Sequence, residues 1–458
     1  MYSYDVAVLG GGSGGYTAAI RCAQYGLKTV LIEADELGGT CLNRGCIPTK
    51  YLLNCAELYD EFKNAQHFGI NYEKITFDFG KMIRQKNKIV ERLASGIAAL
   101  EKAHGVIVIR GTGYVQDTHT IHVNGENITF RNLILATGAV PSLPPIHGIE
   151  YALTSDDVLT RLNQCPDNVI IIGGGVIGIE FASLFSKLGK TCTVLEAEQE
   201  ILQGIDKEIV ELLRKSFRDS KIQIVTSARV TSIEKNDFCT VRYSVSGEEK
   251  TVNAQCCIVC TGRKPSTEGI GLRKAGIHIQ NDGYILVDSE LRTNTSHIFA
   301  VGDVTGKALL AHVASAQGLV AAANCADLHM KMCYDVVPFC IYTVPEIACV
   351  GLSEENSKRK GLDIKIGRFH VPANGKAMTM NTKIGLVKLI VDSLSGVIYG
   401  AHIFAPRAVD MIAEICAVIQ CEGTVHELSQ TIHPHPTISE CIMEAALDAE
   451  GVCCYKLP

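Results

Sequence analysis

The residues after Asp5, Val6-Ala7-Val8-Leu9, form an apolar run too short for a helix, which predicts a buried strand. A glycine cluster follows, Gly10-Gly11-Gly12-Ser13-Gly14-Gly15, and then a helical pattern from Tyr16 to Tyr25. A second strand, Thr29 to Ile32, ends at an acid, Glu33. The same order recurs far downstream. Val169 to Ile172 predicts a strand and leads into Gly173-Gly174-Gly175-Val176-Ile177-Gly178. A helical stretch from Ile179 to Leu188 is followed by a strand from Thr191 to Leu195 that ends at Glu196. Gly10 and Glu33 are 23 positions apart, and so are Gly173 and Glu196. One strand–turn–helix–strand module has been duplicated. Further strands are predicted at Asn132 to Leu135 and Cys256 to Cys260, and an amphipathic run from Val409 to Cys421. Strands alternating with helices predict an α/β chain with parallel sheets.

Each glycine of the repeat has a physical task. Gly10 permits a tight turn, Gly12 lets the backbone approach a pyrophosphate, and Gly15 lets helix and strand pack closely. Gly173, Gly175 and Gly178 repeat the set. The helix N-terminus offers free N–H groups and a positive dipole end to phosphates. Glu33 and Glu196 stand where an acid accepts hydrogen bonds from an adenosine ribose. Two modules imply two dinucleotides, an arrangement suited to relaying electrons between them. The alternative, one vestigial module, conflicts with both units keeping three glycines and the acid. The second strand runs into Glu196, Glu198 and Glu200, which repel a 2′-phosphate, so this site is expected to prefer NAD to NADP.

At 458 residues the chain is too long for one core and predicts about two to four domains. A net charge of −6 without a basic tract argues against a nucleic-acid partner. The longest apolar stretch, Ile170 to Phe185, is interrupted by Glu180, so no membrane span is expected. The first strand begins almost at Met1, leaving no room for a signal peptide, and a reducing, cytoplasmic setting is expected. Nineteen cysteines would suggest a disulfide scaffold in a small secreted protein. In this chain Cys22, Cys55, Cys192, Cys349 and Cys416 read as small core residues. Cys257 and Cys260 belong to a buried strand. Cys453-Cys454, near the C-terminus, reads as chance adjacency in a cysteine-rich chain.

Chemistry concentrates in Gly38-Gly39-Thr40-Cys41-Leu42-Asn43-Arg44-Gly45-Cys46-Ile47-Pro48-Thr49-Lys50. In a regular helix residues five apart have Cα atoms about 8–9 Å apart, whereas a disulfide wants about 5.5–6 Å. Cys41 and Cys46 can therefore bond only across a bent backbone, which Gly39, Gly45 and Pro48 make possible. Such a pair beside a nucleotide turn looks like a redox couple. Near the other end stands His433-Pro434-His435-Pro436-Thr437-Ile438-Ser439-Glu440, and histidine is the side chain best suited to moving protons near neutrality. A metal site at His433 and His435 fails on ligand count, so no metal is expected.

The cysteine stretch closely resembles the active-site motif of the pyridine nucleotide-disulfide oxidoreductases. The resemblance runs nearly end to end and includes Phe299-Ala300-Val301-Gly302-Asp303 and Ile341-Tyr342-Thr343-Val344-Pro345-Glu346. It implies two Rossmann-like dinucleotide-binding domains, for FAD and NAD, and a C-terminal α+β dimerisation domain. The implied boundaries are an FAD domain over 1–145, an NAD domain over 146–265, a return to the FAD domain over 266–338, and an interface domain over 339–458. The first site would hold FAD, with Thr137 and Gly138 in its wall and Asp303 on the ribitol. Gly262 joins the nucleotide-binding set. Lys50 would lie near the flavin N5 edge with Glu180 as its ion-pair partner. Cys41 would meet the substrate thiol and Cys46 would lie nearer the flavin. His435 would be the acid–base and Glu440 its orienting partner, supplied by the other subunit of an obligate homodimer. His433 receives no role. Within the family, the acids from Glu196, Val176 in place of a gating tyrosine, and Ile47-Pro48-Thr49-Lys50 resemble the branch that oxidises dihydrolipoamide. Its partners would be lipoyl domains of 2-oxoacid dehydrogenase or glycine-cleavage complexes. Arg44 departs from that branch, whose commonest form has valine there. A related reductase for another small thiol or a metal ion is the alternative.

Overall fold

The computed structural model describes residues 2–218 and 220–455. The first apolar run becomes the central strand Tyr4–Leu9 of a mainly parallel sheet. It pairs in parallel with Thr29–Glu33 on one side and Glu126–Leu135 on the other. Ile107–Arg110 and Ile298–Ala300 extend the sheet at its two edges. Val6, Ala7 and Val8 are fully buried, the pattern of a strand covered on both faces. The duplicate module builds a second parallel sheet in the same order. Asn168–Ile172 is central, Thr191–Leu195 and Cys256–Val259 flank it, and Ile222–Val225 and Leu153–Thr154 are outermost.

The glycine-turn helices run over Ser13–Gln24 and Val176–Lys187, each starting three residues earlier than the hydrophobic pattern predicts. The reason is contact, not propensity. A Cβ on Gly15 would collide with the carbonyl of Gly10, and one on Gly178 with that of Gly173. The first helical turn thus needs glycine, a residue that a propensity reading assigns to the loop.

The chain crosses from the first sheet to the second and back through a two-stranded ribbon, Ala139–Pro141 against Arg263–Pro265. A three-stranded meander over 228–254 packs on the second unit. The last third forms a five-stranded antiparallel sheet, with Ile398–Ala405 at its centre between Glu346–Gly351 and Leu386–Asp392. Helices Ala408–Gln420 and Glu440–Glu450 cover it, burying Met411, Ile412, Ile415, Ile442 and Ala445. Among the described residues no helix is long and apolar enough to cross a membrane.

The third unit is tied to the second by a buried charge cluster. Lys388 is 1% exposed and reaches Asp206 at 2.9 Å, Glu354 at 2.8 Å and Glu208 at 3.0 Å. Arg368 bridges the two glutamates. Burial alone would lower the Lys388 pKa, but Glu354 and Asp206 more than offset it and the net shift is upward. Burial likewise opposes ionisation of Glu354, yet Lys358 and Lys388 hold it at about 2. A raised lysine contributes stability below its unfolded value of about 10.4, lost as pH rises through the folded value. A depressed glutamate contributes above about 4.3, lost as pH falls toward 2. The cluster therefore stabilises the fold between about pH 4.5 and 10. Lys388→Met removes the cation that pairs with fully buried Asp206, while Arg368 still serves Glu208 and Glu354, and is expected to cost about 3–5 kcal/mol near neutrality. A chemical-denaturation midpoint unmoved by the substitution would show that the acids find other partners.

Candidate active site

The cysteine stretch folds as a helix Gly39–Arg44, a break at Gly45, and a second helix Cys46–Asn64. The break brings the Cα atoms of Cys41 and Cys46 to 4.6 Å, and the two sulfurs are bonded. Asn43 clamps the preceding loop, donating to the carbonyls of Leu37 at 3.1 Å and Gly39 at 2.9 Å. Arg44 pairs with Asp35 on the loop after Glu33, which accounts for a charged residue inside the motif. Cys46 opens a 19-residue helix, so a thiolate there would sit at the positive end of the helix dipole.

Lys50 lies one helical turn beyond Cys46 and shares its face. Its Nζ donates to both carboxylate oxygens of Glu180 at 2.9 Å. Glu180 is 4% exposed, and its Oε1 also accepts the N–H of Tyr342 at 3.0 Å. The Tyr342 ring lies 4.3 Å from Lys50 Nζ, close enough for a cation–π contact. Three separate segments thus hold one ammonium group in place. Tyr342 lies within a motif already noted, but no local pattern tells that its ring covers the lysine.

The two glycine turns are near copies in space. Glu33 accepts the N–H of Gly11 at 2.5 Å and that of Asp35 at 2.7 Å. Glu196 accepts the N–H of Gly174 at 2.5 Å and that of Glu198 at 2.8 Å. Gly10 has φ +104° and lies against the carbonyl of Ala136; Gly173 has φ +108° and lies against that of Cys260. Thr137-Gly138 and Thr261-Gly262 therefore occupy matching places. The duplication extends to this second wall, a signal present in the sequence as Ala136-Thr137-Gly138 and Cys260-Thr261-Gly262.

The cradles suit dinucleotides. A Cβ on Gly175 would meet nothing within 4 Å, and one on Gly12 only the Cα of Gly39 at 3.8 Å. Open space therefore faces the helix N-termini where phosphates bind. Gly138 and Gly262 border open space as well. The hydroxyl of Thr137 is buried without a protein partner. Burial raises the pKa of Asp303, against the opposing pull of Arg263, leaving a carboxyl group in a low-polarity wall beside the first module. These are groups that a flavin and its ribityl chain would satisfy.

His435 and Glu440 lie elsewhere. His435 Nδ1 is 2.9 Å from Glu440 Oε1, and Glu440 Oε2 accepts the N–H of Thr437 at 2.8 Å. Burial opposes the charge on Glu440, but the Thr437 N–H and His435 more than offset it, holding the carboxyl below its ordinary value. The His435 side chain is 79% exposed. Among the described residues no hydrogen bond or ion pair joins this dyad to the cysteine pair within one chain.

The sequence matches the pyridine nucleotide-disulphide oxidoreductase family over residues 4–318 and that family's dimerisation domain over 337–446. The chain belongs to this family. It is 39% identical over 453 residues to a dihydrolipoyl dehydrogenase of Geobacillus stearothermophilus, covering 98% of this chain and 96% of the relative. It is 40% identical over 469 residues to one of Bacillus subtilis (strain 168), covering 98% of each chain. Among solved structures it resembles the HOCl-induced flavoprotein disulfide reductase RclA from Escherichia coli, with 28% identity and a TM-score of 0.86. That match covers 96% of this chain and 98% of the other. The Cu(II) complex of RclA superposes with a TM-score of 0.88, 28% identity and coverage of 97% and 99%. Family membership makes the chain an oxidoreductase that uses FAD and NAD, and the dimerisation domain supports a homodimer.

Proposed function

We propose that the protein oxidises protein-bound dihydrolipoamide to lipoamide and reduces NAD to NADH. The observation that carries this reading is the Cys41–Cys46 disulfide at the head of the Lys50 helix, in a chain similar end to end to dihydrolipoyl dehydrogenases. The acids from Glu196 support NAD as the acceptor. We assign the catalytic roles to Cys41, Cys46, His435, Glu440, Lys50 and Glu180. Gly10, Gly12, Gly15, Glu33, Thr137, Gly138 and Asp303 would hold FAD, and Gly173, Gly175, Gly178, Glu196 and Gly262 would hold NAD. The domains would divide at about 145, 265 and 338, a division that the sheet memberships support. The partners would be lipoyl domains of 2-oxoacid dehydrogenase or glycine-cleavage complexes. Seventeen cysteines that remain free beside one redox pair support a reducing cytoplasm as the setting.

In this mechanism His435 of the partner subunit takes the proton from a substrate thiol at Nε2, while Glu440 holds Nδ1. The thiolate attacks Cys41 Sγ, the Cys41–Cys46 bond breaks, and Cys46 leaves as a thiolate at its helix N-terminus. His435 gives the first proton up to solvent and takes the proton of the second substrate thiol, and the resulting thiolate attacks the substrate sulfur bonded to Cys41. That closes the substrate disulfide and releases Cys41, which is protonated by His435. The substrate loses two electrons and two protons, and the cysteine pair gains the electrons. Bound FAD would take that electron pair and deliver it as hydride to NAD. The Lys50–Glu180 pair fixes the charge balance near Cys46.

A second reading, reduction of another small disulfide or a metal ion, is favoured by the likeness to RclA and its Cu(II) complex. Titrating the holoprotein with dihydrolipoamide and then NAD separates the two. We expect NADH to appear in the ultraviolet spectrum, in proportion to added dithiol. No NADH with dihydrolipoamide, together with NADPH-driven reduction of a disulfide or of Cu(II), would overturn the first reading in favour of the second.

A further inference from the structure

The motif contains a second histidine that the proposed chemistry leaves idle. His433 is not a loose neighbour of His435. Its side chain is 4% exposed, while that of His435 is 79% exposed. Nε2 of His433 lies 2.8 Å from Oε1 of Glu414, on the helix Ala408–Gln420. Nδ1 lies 3.0 Å from the carbonyl oxygen of Thr431. A carbonyl can only accept a hydrogen bond, and so can a carboxylate. A neutral imidazole has one N–H and one lone pair, so one of these contacts would set a lone pair against an acceptor. Both contacts are satisfied only when both nitrogens carry protons. The geometry therefore selects the imidazolium form.

The cation sits at a sensitive place. The charged and titratable groups facing it are Glu414 on one helix and Glu440 at the start of another, with His435 two residues along the chain. Glu414, at hydrogen-bond distance, is the main cause that raises the His433 pKa, and Glu440 adds to it. Reciprocally, the charge of His433 helps to hold Glu440 ionised. Glu440 in turn grips both His435 and the Thr437 N–H.

We propose that His433 is a positioning residue for the thiol-oxidising half-reaction, a fixed cation that anchors the segment 431–437 to the helix of Glu414 and sets the charge seen by Glu440 and His435. The inference rests on the dihydrolipoamide reading given above. It makes a signed prediction. With the cation present, placing a second positive charge on His435 is opposed. When the cation is removed, His435 accepts and keeps a proton at higher pH, and a base that is already protonated cannot take one from the substrate.

The test is the pH profile of kcat/KM for dihydrolipoamide in the FAD-loaded dimer, compared among wild type, His433→Gln and Glu414→Gln. In His433→Gln the acid limb is expected to move up by about half a pH unit, the size of one screened charge at this range. NADH oxidation by ferricyanide, which requires no thiol proton transfer, should stay unchanged. Glu414→Gln removes the counter-ion that keeps His433 charged. Both members of the pair are then neutral, so the limb should move less than in His433→Gln, and the double variant should match Glu414→Gln. If His433→Gln does not fold, His433→Asn, which also keeps Glu414, carries the test. A folded, FAD-bound His433 variant whose profile superposes on wild type would overturn the proposal, as would equal loss of both activities without a shift. Failure of the wild type itself to oxidise dihydrolipoamide would instead overturn the functional reading.

Discussion

Cys46→Ser is expected to abolish dihydrolipoamide-dependent NADH formation, with a loss on the order of 10³ or more. The size follows from the role. Without Cys46 the disulfide cannot form, and the substrate thiolate has no disulfide bond to break at Cys41. The rest of the protein should not register the change. Cys46 opens its helix without a side-chain cap, and serine is tolerated in such a place. The residues we assign to the first dinucleotide, Gly10, Gly12, Thr137 and Asp303, lie on other segments. The variant should therefore purify with FAD and oxidise NADH with ferricyanide at close to the wild-type rate. That pairing separates loss of the redox couple from loss of the fold. Dihydrolipoamide turnover that survives in Cys46→Ser would sink the mechanism, since another of the seventeen free cysteines would have to serve.

The parts of this site that rest on backbone geometry are legible in the sequence. The glycine turns announce themselves because only glycine fits against Ala136 and Cys260 at positive φ. The 23-residue spacing repeats because both helices must return to the same sheet position. The Cys41–Cys46 bond needs a break, and Gly45 stands between the cysteines to make one. What stays hidden is what the tertiary fold assembles. Lys50 and Glu180 are 130 positions apart, and only the family resemblance pairs them. Lys388 sits in a strand that otherwise reads as core, and its acids come from two other segments of the chain, one around Asp206 and Glu208 and one at Glu354. Tyr342 covers Lys50 from a strand end. Glu414 reaches His433 from the opposite side of a chain reversal, so the motif shows a histidine without its reason for being there.

Replacing His435 with glutamine is expected to lower kcat/KM for dihydrolipoamide by about 10² to 10⁴, the usual worth of a positioned base. FAD content and ferricyanide activity should be spared. The sharper test lies in Glu440. The Thr437 N–H must find an acceptor, and Glu440 Oε2 supplies it at 2.8 Å. In Glu440→Gln the amide oxygen is drawn to that N–H, which turns the NH₂ group toward His435 Nδ1. A donor there requires a lone pair on Nδ1, so the proton of neutral His435 moves to Nε2. Nε2 is the atom that must accept the substrate's proton, and in this tautomer it cannot. Glu440→Ala imposes no tautomer and leaves His435 able to adopt the productive one. Glutamine, the closer isostere, should therefore be the more damaging change, by about 10-fold or more. The lowered pKa of Glu440 keeps it ionised in the wild type, so the loss in each variant relative to wild type should persist throughout neutral pH. Equal activity in the two variants would mean that Glu440 acts on His435 through charge alone. An alanine variant worse than the glutamine variant would mean that it acts by holding the loop at Thr437.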